Sequence, residues 1–484
     1  MKIKIFLLLI ISYPLLTGNL FAQNVGVGTG TPAEKLHVAG NIRADTIKPQ
    51  AVKLMPNAGA GKILTSDAFG NASWQSTAAE NGNTGFGVWG DCATNGNISE
   101  YNPVASVTGA ADDMLGYSVS ISGNFAIIGA YRDDIGVNAN QGSASIYQHN
   151  GSDWIFLQKI TDATGAAGDC FGFCVSIDGN YAIVGAPFDE VGGNSTQGSV
   201  SIYQYNGSAW VLMQKLTDAT GLAFDRFGQS VSISGNYAIA GAPEDDIPGN
   251  TDQGSASIYH YNGSSWVYQQ KMIDPAGDTD DAFGSSVSID GDDVVVGSPE
   301  DDVIANNAQG SSCVYHYTGT SWAYLQKLTD PLGAALDIFG SAVSISGNYI
   351  IAGAHNDDDG ANSHQGSACI FWNNGTSWVI MQKITDPGGE ANDDFGKSVA
   401  ISGNYAFIGA WGDEISSGPG HGSVSIFIRV GPGWQRLQKV TDPGGTSYDN
   451  FSFSVAIDKT TKRFLIGAYG YAAYSGKAVF GKIR

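Results

Sequence analysis

A phenylalanine-glycine pair returns every 56 residues through most of this 484-residue chain: Phe171-Gly172, Phe227-Gly228, Phe283-Gly284, Phe339-Gly340 and Phe395-Gly396. Leu115-Gly116 precedes the series and Phe451-Ser452 follows it at the same spacing. A fixed period of this length marks stacked copies of one supersecondary unit, so every segment has to be read through the repeat. A residue present in every copy serves the shared architecture before it serves a unique active site.

One copy, residues 227 to 282, shows the parts. Ser230 to Ser234 (SVSIS) alternates apolar and polar, the period-two pattern of a strand. Gly235-Asn236 reads as a two-residue turn, and Tyr237 to Gly241 as a second strand. A polar loop, APEDDIPGNTDQ, leads to a third strand, Gly254 to Tyr261. Asn262-Gly263 predicts a type I′ hairpin turn, which needs positive φ at both central positions. Trp266 to Ile273 is the fourth strand. Four strands per copy and seven copies predict an all-β, seven-bladed β-propeller of four-stranded antiparallel blades. A β-solenoid is the alternative, and tight hairpins fit it less well.

The seventh copy, starting at Phe451, lacks a fourth strand. Residues 106 to 116 match 162 to 172 one period later, which puts Asn97 to Val104 in the fourth-strand slot. That segment is expected to pair with the last three strands and close the ring, removing open sheet edges.

Residues 1 to 22 read as a signal peptide: Lys2 and Lys4, an apolar run from Ile5 to Leu16, and Leu20-Phe21-Ala22 before a cut at Gln23. No cysteine follows the cut, and no later transmembrane helix is evident, so export to a secreted or cell-surface location is expected. Removing Lys2 and Lys4 from 24 basic residues leaves 22 against 46 acids, a net charge of −24. Such a surface repels nucleic acid and anionic lipid and attracts cations. The five cysteines, Cys92, Cys170, Cys174, Cys313 and Cys369, show no disulfide framework and read as small packing residues.

Residues 23 to 88 differ from the rest: short apolar runs separated by Gly, Thr, Pro and Asn form a small β-rich segment or linker. It resembles the stalk-like N-terminal regions of exported bacterial surface proteins, which are themselves similar to phage tail-fibre segments. That likeness implies a homotrimer through this segment. Residues 89 to 484 make up the propeller.

Phe-Gly, then a hairpin, then Gly-Ala-Pro (Gly185-Ala186-Pro187, Gly241-Ala242-Pro243, with Gly297-Ser298-Pro299 close) resembles the FG-GAP repeat. The resemblance implies the seven-bladed propeller of integrin α subunits and of many bacterial exported proteins. In that family calcium sits on a DxDxDG loop between the first and second strands of some blades. Here the place holds Ser122 to Asn124, Ser234 to Asn236 or Asp290-Gly291-Asp292. A two-residue turn cannot offer the six to eight oxygens calcium takes, so no cofactor is expected at the family position.

The loops between strands 2 and 3, and those between blades, share one face and carry most of the acids. Three acidic positions recur there. A pair follows Gly-Ala: Asp133-Asp134, Asp189-Glu190, Asp245-Asp246, Asp301-Asp302, Asp357-Asp358 and Asp413-Glu414. These pairs are the candidate ligand-binding residues, since two adjacent acids exceed the needs of one turn. A second position follows strand 4 (Asp162, Asp218, Asp274, Asp330, Asp386, Asp442). A third lies two residues before the Phe (Asp113, Asp169, Asp225, Asp281, Asp337, Asp393, Asp449). Asx turns are the competing structural reason for all three. His355, Asp357, Asp359 and His364 form a candidate transition-metal set in one loop, although their spacing matches no template and loop drift is the competing reading.

Trp154, Trp210, Trp266, Trp322, Trp378 and Trp434 open each fourth strand and are expected to wedge between blades. The Asn206-Gly207-Ser208 sequon is accounted for by its turn. No nucleophile elbow, metalloprotease HExxH or phosphate-binding glycine loop occurs. The reading is an exported, non-catalytic binding or adhesion protein presenting an acidic loop face to an extracellular protein, glycan or cation. A glycan hydrolase or lyase with a site at the propeller channel, and a structural component of an extracellular assembly, remain as alternatives. The enzyme would need unlike residues converging from several blades.

Overall fold

The computed structural model describes residues 25–27, 36–38, 62–66, 72–76, 98–105, 110–414 and 419–484. The expected signal peptide, most of the expected stalk-like segment and Cys92 lie outside these. The chain divides into two compact units, Met1–Thr84 and Gly85–Arg484. In the first, Val25–Val27 pairs in parallel with Leu36–Val38, and Lys62–Ser66 pairs antiparallel with Ala72–Ser76.

The second unit is seven four-stranded antiparallel sheets with strands in sequence order, a seven-bladed propeller. Blade 3 is representative: Ser230–Ser234, Tyr237–Ala242, Ser255–Tyr261 and Trp266–Met272. Its second strand is buried along nearly its whole length, which its small residues Ala238, Ala240 and Ala242 permit. Blade 7 holds Phe451–Ile457, Arg463–Ala468 and Lys477–Ile483, and Ile98–Ala105 pairs antiparallel with the last of these. The ring is therefore closed by the strand that the repeat spacing assigned to this slot, shifted by one residue.

The hydrophobic core lies between blades. One cluster joins Ile183, Val200 and Ile202 of blade 2 to Val231, Ala238, Tyr259 and Trp266 of blade 3, with Phe227 at its base. Burying each such Phe ring contributes about 2 kcal/mol. The glycine beside it has a different task. Gly228 has φ +91° and donates its N–H to Gly241 O at 2.8 Å. A Cβ on Gly241 would in turn lie 2.0 Å from Gly284 O of the next blade. The Phe-Gly beat is thus a hydrophobic anchor plus a positive-φ residue bonded to Gly241, the place where a side chain would strike the next blade. In blade 7 Ser452 occupies the glycine place at φ +85°.

The serines of SVSIS face the neighbouring blade rather than simply solvent. Ser120 Oγ accepts the Ile177 N–H, Ser176 Oγ the Ile233 N–H and Ser232 Oγ the Ile289 N–H, at 3.1–3.2 Å. These bonds satisfy the inner edge of each sheet, which has no strand partner. The outer edges are stitched as well. Gln214 donates to Trp266 O at 3.0 Å and accepts from Trp266 N at 3.0 Å, and Gln158 does the same with Trp210. This places each Trp ring, 2–8 % exposed, in the seam between blades, where Trp266 meets Tyr181 edge-on.

Two turns differ in what they use. Ser234 pairs directly with Tyr237 across Gly235-Asn236, and only Gly235 has positive φ, +54°. No DxDxDG loop is present there. The Asn262-Gly263 turn is not the expected two-residue type I′ hairpin. Tyr261 pairs with Trp266, so four residues intervene, and Gly263 alone has positive φ. Asn262 Oδ1 accepts the N–H groups of Ser264 and Ser265 and the Ser264 hydroxyl. The side-chain cap replaces the backbone conformation that the Asn-Gly pair suggested.

Candidate functional site

The structure separates the two acids of each Gly-Ala pair. The first, Asp133, Asp189, Asp245, Asp301, Asp357 or Asp413, is 3–6 % exposed. Asp245 accepts from Ser255 Oγ at 2.5 Å and pairs with Lys271 at 2.5 Å. Lys271 also reaches Asp218, the acid that follows strand 4 of the preceding blade, at 2.8 Å. The same Asp–Lys–Asp bridge recurs around Lys215, Lys327, Lys383 and Lys439, each joining one blade to the next. Lys159 pairs with Asp133, and Lys477 with Asp442. Half of the expected binding residues are therefore internal counter-ions. The lysine that shares them sits in a fourth strand, and its recurrence in Gln-Lys pairs was the available signal.

The second acids, Asp134, Glu190, Asp246, Asp302, Asp358 and Glu414, are exposed. Four of them also have a structural task. Asp134, Asp246, Asp302 and Asp358 accept the backbone N–H six residues on, at 2.8–3.0 Å. The acids two residues before Phe cap their own loops: Asp225 Oδ2 accepts the Leu222 N–H at 2.6 Å and Asp281 Oδ2 the Asp278 N–H at 2.6 Å. Burial, only partly offset by that bond, pushes both carboxyls up to about 7, with Asp245 and Asp301 adding like charge. Asp169, Asp337 and Asp393 are pushed up to about 6 for the same reason.

The expected histidine–carboxylate set is not brought together. His355 turns its Nδ1 to Ser341 Oγ at 2.9 Å and its Nε2 to Lys397 at 3.4 Å. Asp357 is held by Lys383, and Asp358 caps His364 N. Among the described residues no group of His, Cys, Asp or Glu is arranged to hold a metal.

Two regions of the loop face remain. The first is an acidic cleft of about 610 Å³ at blades 3 and 4. Blade 3 lends it Glu244 and Asp252, the loop between the blades Asp278, Asp280 and Asp281, and blade 4 Glu300 and Asp302. Arg226 reaches Glu244 at 2.9 Å from beside it. Burial raises the carboxyls of Glu244 and Asp252, and carboxylates around them add to the shift: Asp252 and Glu300 beside Glu244, Asp246 and Asp280 beside Asp252. Of these residues only Asp302 belongs to the expected pairs.

The second region surrounds the channel on blades 7, 1 and 2. Tyr117 of blade 1 lies within 4.5–5.7 Å, ring to ring, of Tyr131 in its own blade, Phe173 of blade 2, and Phe453 and Tyr469 of blade 7. A ring touching three blades sits at the channel. Phe453 continues the arc to Trp411 of blade 6, and Phe173 to Phe188. Unlike residues do converge here, at three positions of the repeat: the residue after Phe-Gly and the two after Gly-Ala. Blades 3 and 4 put Pro243-Glu244 and Pro299-Glu300 at the latter two, where blade 1 puts Tyr131-Arg132. Variation at these positions, amid otherwise repeated sequence, was the signal that a search for recurrence overlooks.

A family model described as FG-GAP repeat matches residues 105–147, 154–203, 210–259, 266–315, 322–371, 378–427 and 434–479. Seven matches cover well over half of the chain, which therefore belongs to the FG-GAP repeat family. A search of curated proteins finds no match. No helix among the described residues is long and apolar enough to cross a membrane.

Proposed function

We propose that this FG-GAP propeller is an exported, non-catalytic binding protein of the adhesion type, which presents the acidic half of its loop face to a cationic ligand. The cleft at blades 3 and 4 is the observation that supports this most directly. Seven carboxylates from three loops line it, with one arginine beside it. Closely set carboxylates that raise one another's affinity for protons gain from any cation that replaces the proton. The ligand chemistry that fits best is a lysine- or arginine-rich segment of an extracellular protein, guided in by the negative field of the whole chain. The signal peptide and a secreted or surface location belong to this same reading.

The test is titration of the purified chain with oligo-arginine and oligo-lysine peptides. Micromolar binding that weakens with salt is expected, and E244Q/E300Q/D302N should reduce it at least tenfold. These three residues stand outside the Asp–Lys–Asp bridges, Asn at 302 keeps the oxygen that caps the Ala308 N–H, and the Arg226–Glu244 pair is partly exposed, so the variant should melt close to the parent. Unchanged affinity in that variant would remove the cleft from consideration.

The alternative of an enzyme places its site at the channel mouth, where Ser341 meets His355. Burial, with the Lys397 charge adding to it, holds that histidine down to about 3 and thus neutral. Its second nitrogen faces Lys397 rather than an orienting carboxylate. That arrangement lacks the third member a nucleophilic serine uses.

A further inference from the structure

We propose that the aromatic arc at the channel mouth on blades 6, 7, 1 and 2 is a separate binding site for an anionic carbohydrate, with the rings stacking on sugar faces and Arg132 and Lys397 taking the sugar's carboxylates or sulfates. The proposal is independent of the acidic cleft.

Tyr117, Tyr131, Phe173, Trp411, Phe453 and Tyr469 are all half-buried: packed on one another, yet each keeps some accessible surface. A plug that merely filled the channel would account for rings, but not for the charges set among them. Arg132 lies over Tyr131 at 5.5 Å and Lys397 over Phe453 at 5.9 Å. Neither is held in an ion pair among the described residues, whereas the lysines of the blade bridges each hold two carboxylates. Arg132 and Lys397 thus each lie against a half-buried ring with no carboxylate at salt-bridge distance, Asp394 being the acid that acts on Lys397 from farther off. Arg132 sits at one end of the row Tyr131, Tyr117, Phe453 and Lys397 at the other, so the cations bracket three rings. The row, with successive ring centroids 4.5 and 4.7 Å apart, is long enough to meet a few linked sugars. Neutral His355 and Ser341 supply uncharged hydrogen-bonding groups beside Lys397. Burial lowers the Lys397 ammonium and the Asp394 carboxylate only partly offsets it, so an anion arriving there would favour the charged form further. Rings that stack together with charged groups that fix orientation form a binding pocket in chemical terms.

The experiment titrates the whole purified chain with oligouronates, sialosides and sulfated oligosaccharides, alongside neutral oligosaccharides and oligo-glutamate. Binding is followed by calorimetry and intrinsic fluorescence. At least one anionic class should bind, and its identity tells carboxylate from sulfate recognition. R132Q and K397Q should each weaken that binding at least tenfold. Arg132 is exposed, so R132Q should keep the parent melting temperature even if K397Q does not fold. E244Q/E300Q/D302N should leave sugar binding unchanged, which separates this site from the cleft. The idea is overturned if no anionic oligosaccharide binds, if R132Q binds like the parent, if neutral oligosaccharides bind equally well, or if oligo-glutamate is preferred.

Discussion

The two halves of the loop face are built on one backbone and differ in charge. Where blade 1 places Tyr117, Tyr131 and Arg132, blade 3 places Gln229, Pro243 and Glu244, and blade 4 Ser285, Pro299 and Glu300. Strand lengths, the buried anchor (Leu115 in blade 1, Phe227 and Phe283 in blades 3 and 4) and the serine edge bonds hardly change between them. The scaffold is therefore indifferent to these three positions, and such positions are free to carry function. The Asp–Lys–Asp bridges behave in the opposite way: repeated around the ring, buried, and structural.

The difference between scaffold and free positions can be broken by experiment. The largest effect is expected from deleting residues 97–104. It removes the strand paired with Lys477–Ile483 and opens a sheet edge in the aromatic half. Loss of monodispersity in light scattering, or a fall of more than 10 °C in melting temperature, is expected. An unaltered, monodisperse protein would contradict the closed ring.

Next comes K327A. It leaves Asp274 and Asp301, 1 % and 3 % exposed, without their shared cation. Losing one partner of a buried pair costs about 3–5 kcal/mol. Urea unfolding should show a loss in that range, while a cost below about 1 kcal/mol would demote the bridge to a surface pair.

The smallest effect concerns pH. Asp225 and Asp281 have folded-state values near 7, pushed up by burial, against an ordinary value of 3.8. Protonation is thus favoured in the fold, and their contribution is complete below pH 3.8 and lost as pH rises through about 7. Asp162 and Asp218 run the other way. Burial alone would raise them, but the ammonium groups of Lys215 and Lys271 and the Thr164 and Thr220 bonds outweigh it and leave them lowered, so their contribution is lost only in acid below about pH 4. Between pH 5 and pH 8 the raised carboxyls titrate, Asp225 and Asp281 near 7 with Asp169, Asp337 and Asp393 near 6, while Asp162 and Asp218 stay ionised. The melting temperature should fall by about 2–4 °C across that window, and D225N/D281N should flatten the slope. A rise with pH would mean that both carboxyls are ionised in the fold throughout.

How much of this was legible in the sequence follows from what each residue does. The closing strand could be placed because repeat arithmetic needs no geometry. The acid pairs were legible as recurrent, but their partner was not, because Lys271 lies 26 positions from Asp245 and bridges two blades. Asn262 misled because its side chain, rather than its backbone, makes the turn. The aromatic arc escaped because its members occupy repeat positions whose residue type changes from blade to blade, and only the closed ring brings Tyr117 to Phe453.

That ring has a consequence for how the molecule is made. Ile98–Ala105 leaves the ribosome before any blade does, yet its partner is Lys477–Ile483, at the far end of the sequence. Translation therefore delivers a string of blades whose first strand waits, unpaired, until the last blade has been made. The ring cannot latch while the chain is still growing. Closure is thus the last step of assembly, and a chain cut short before Lys477 would leave its first strand without a partner.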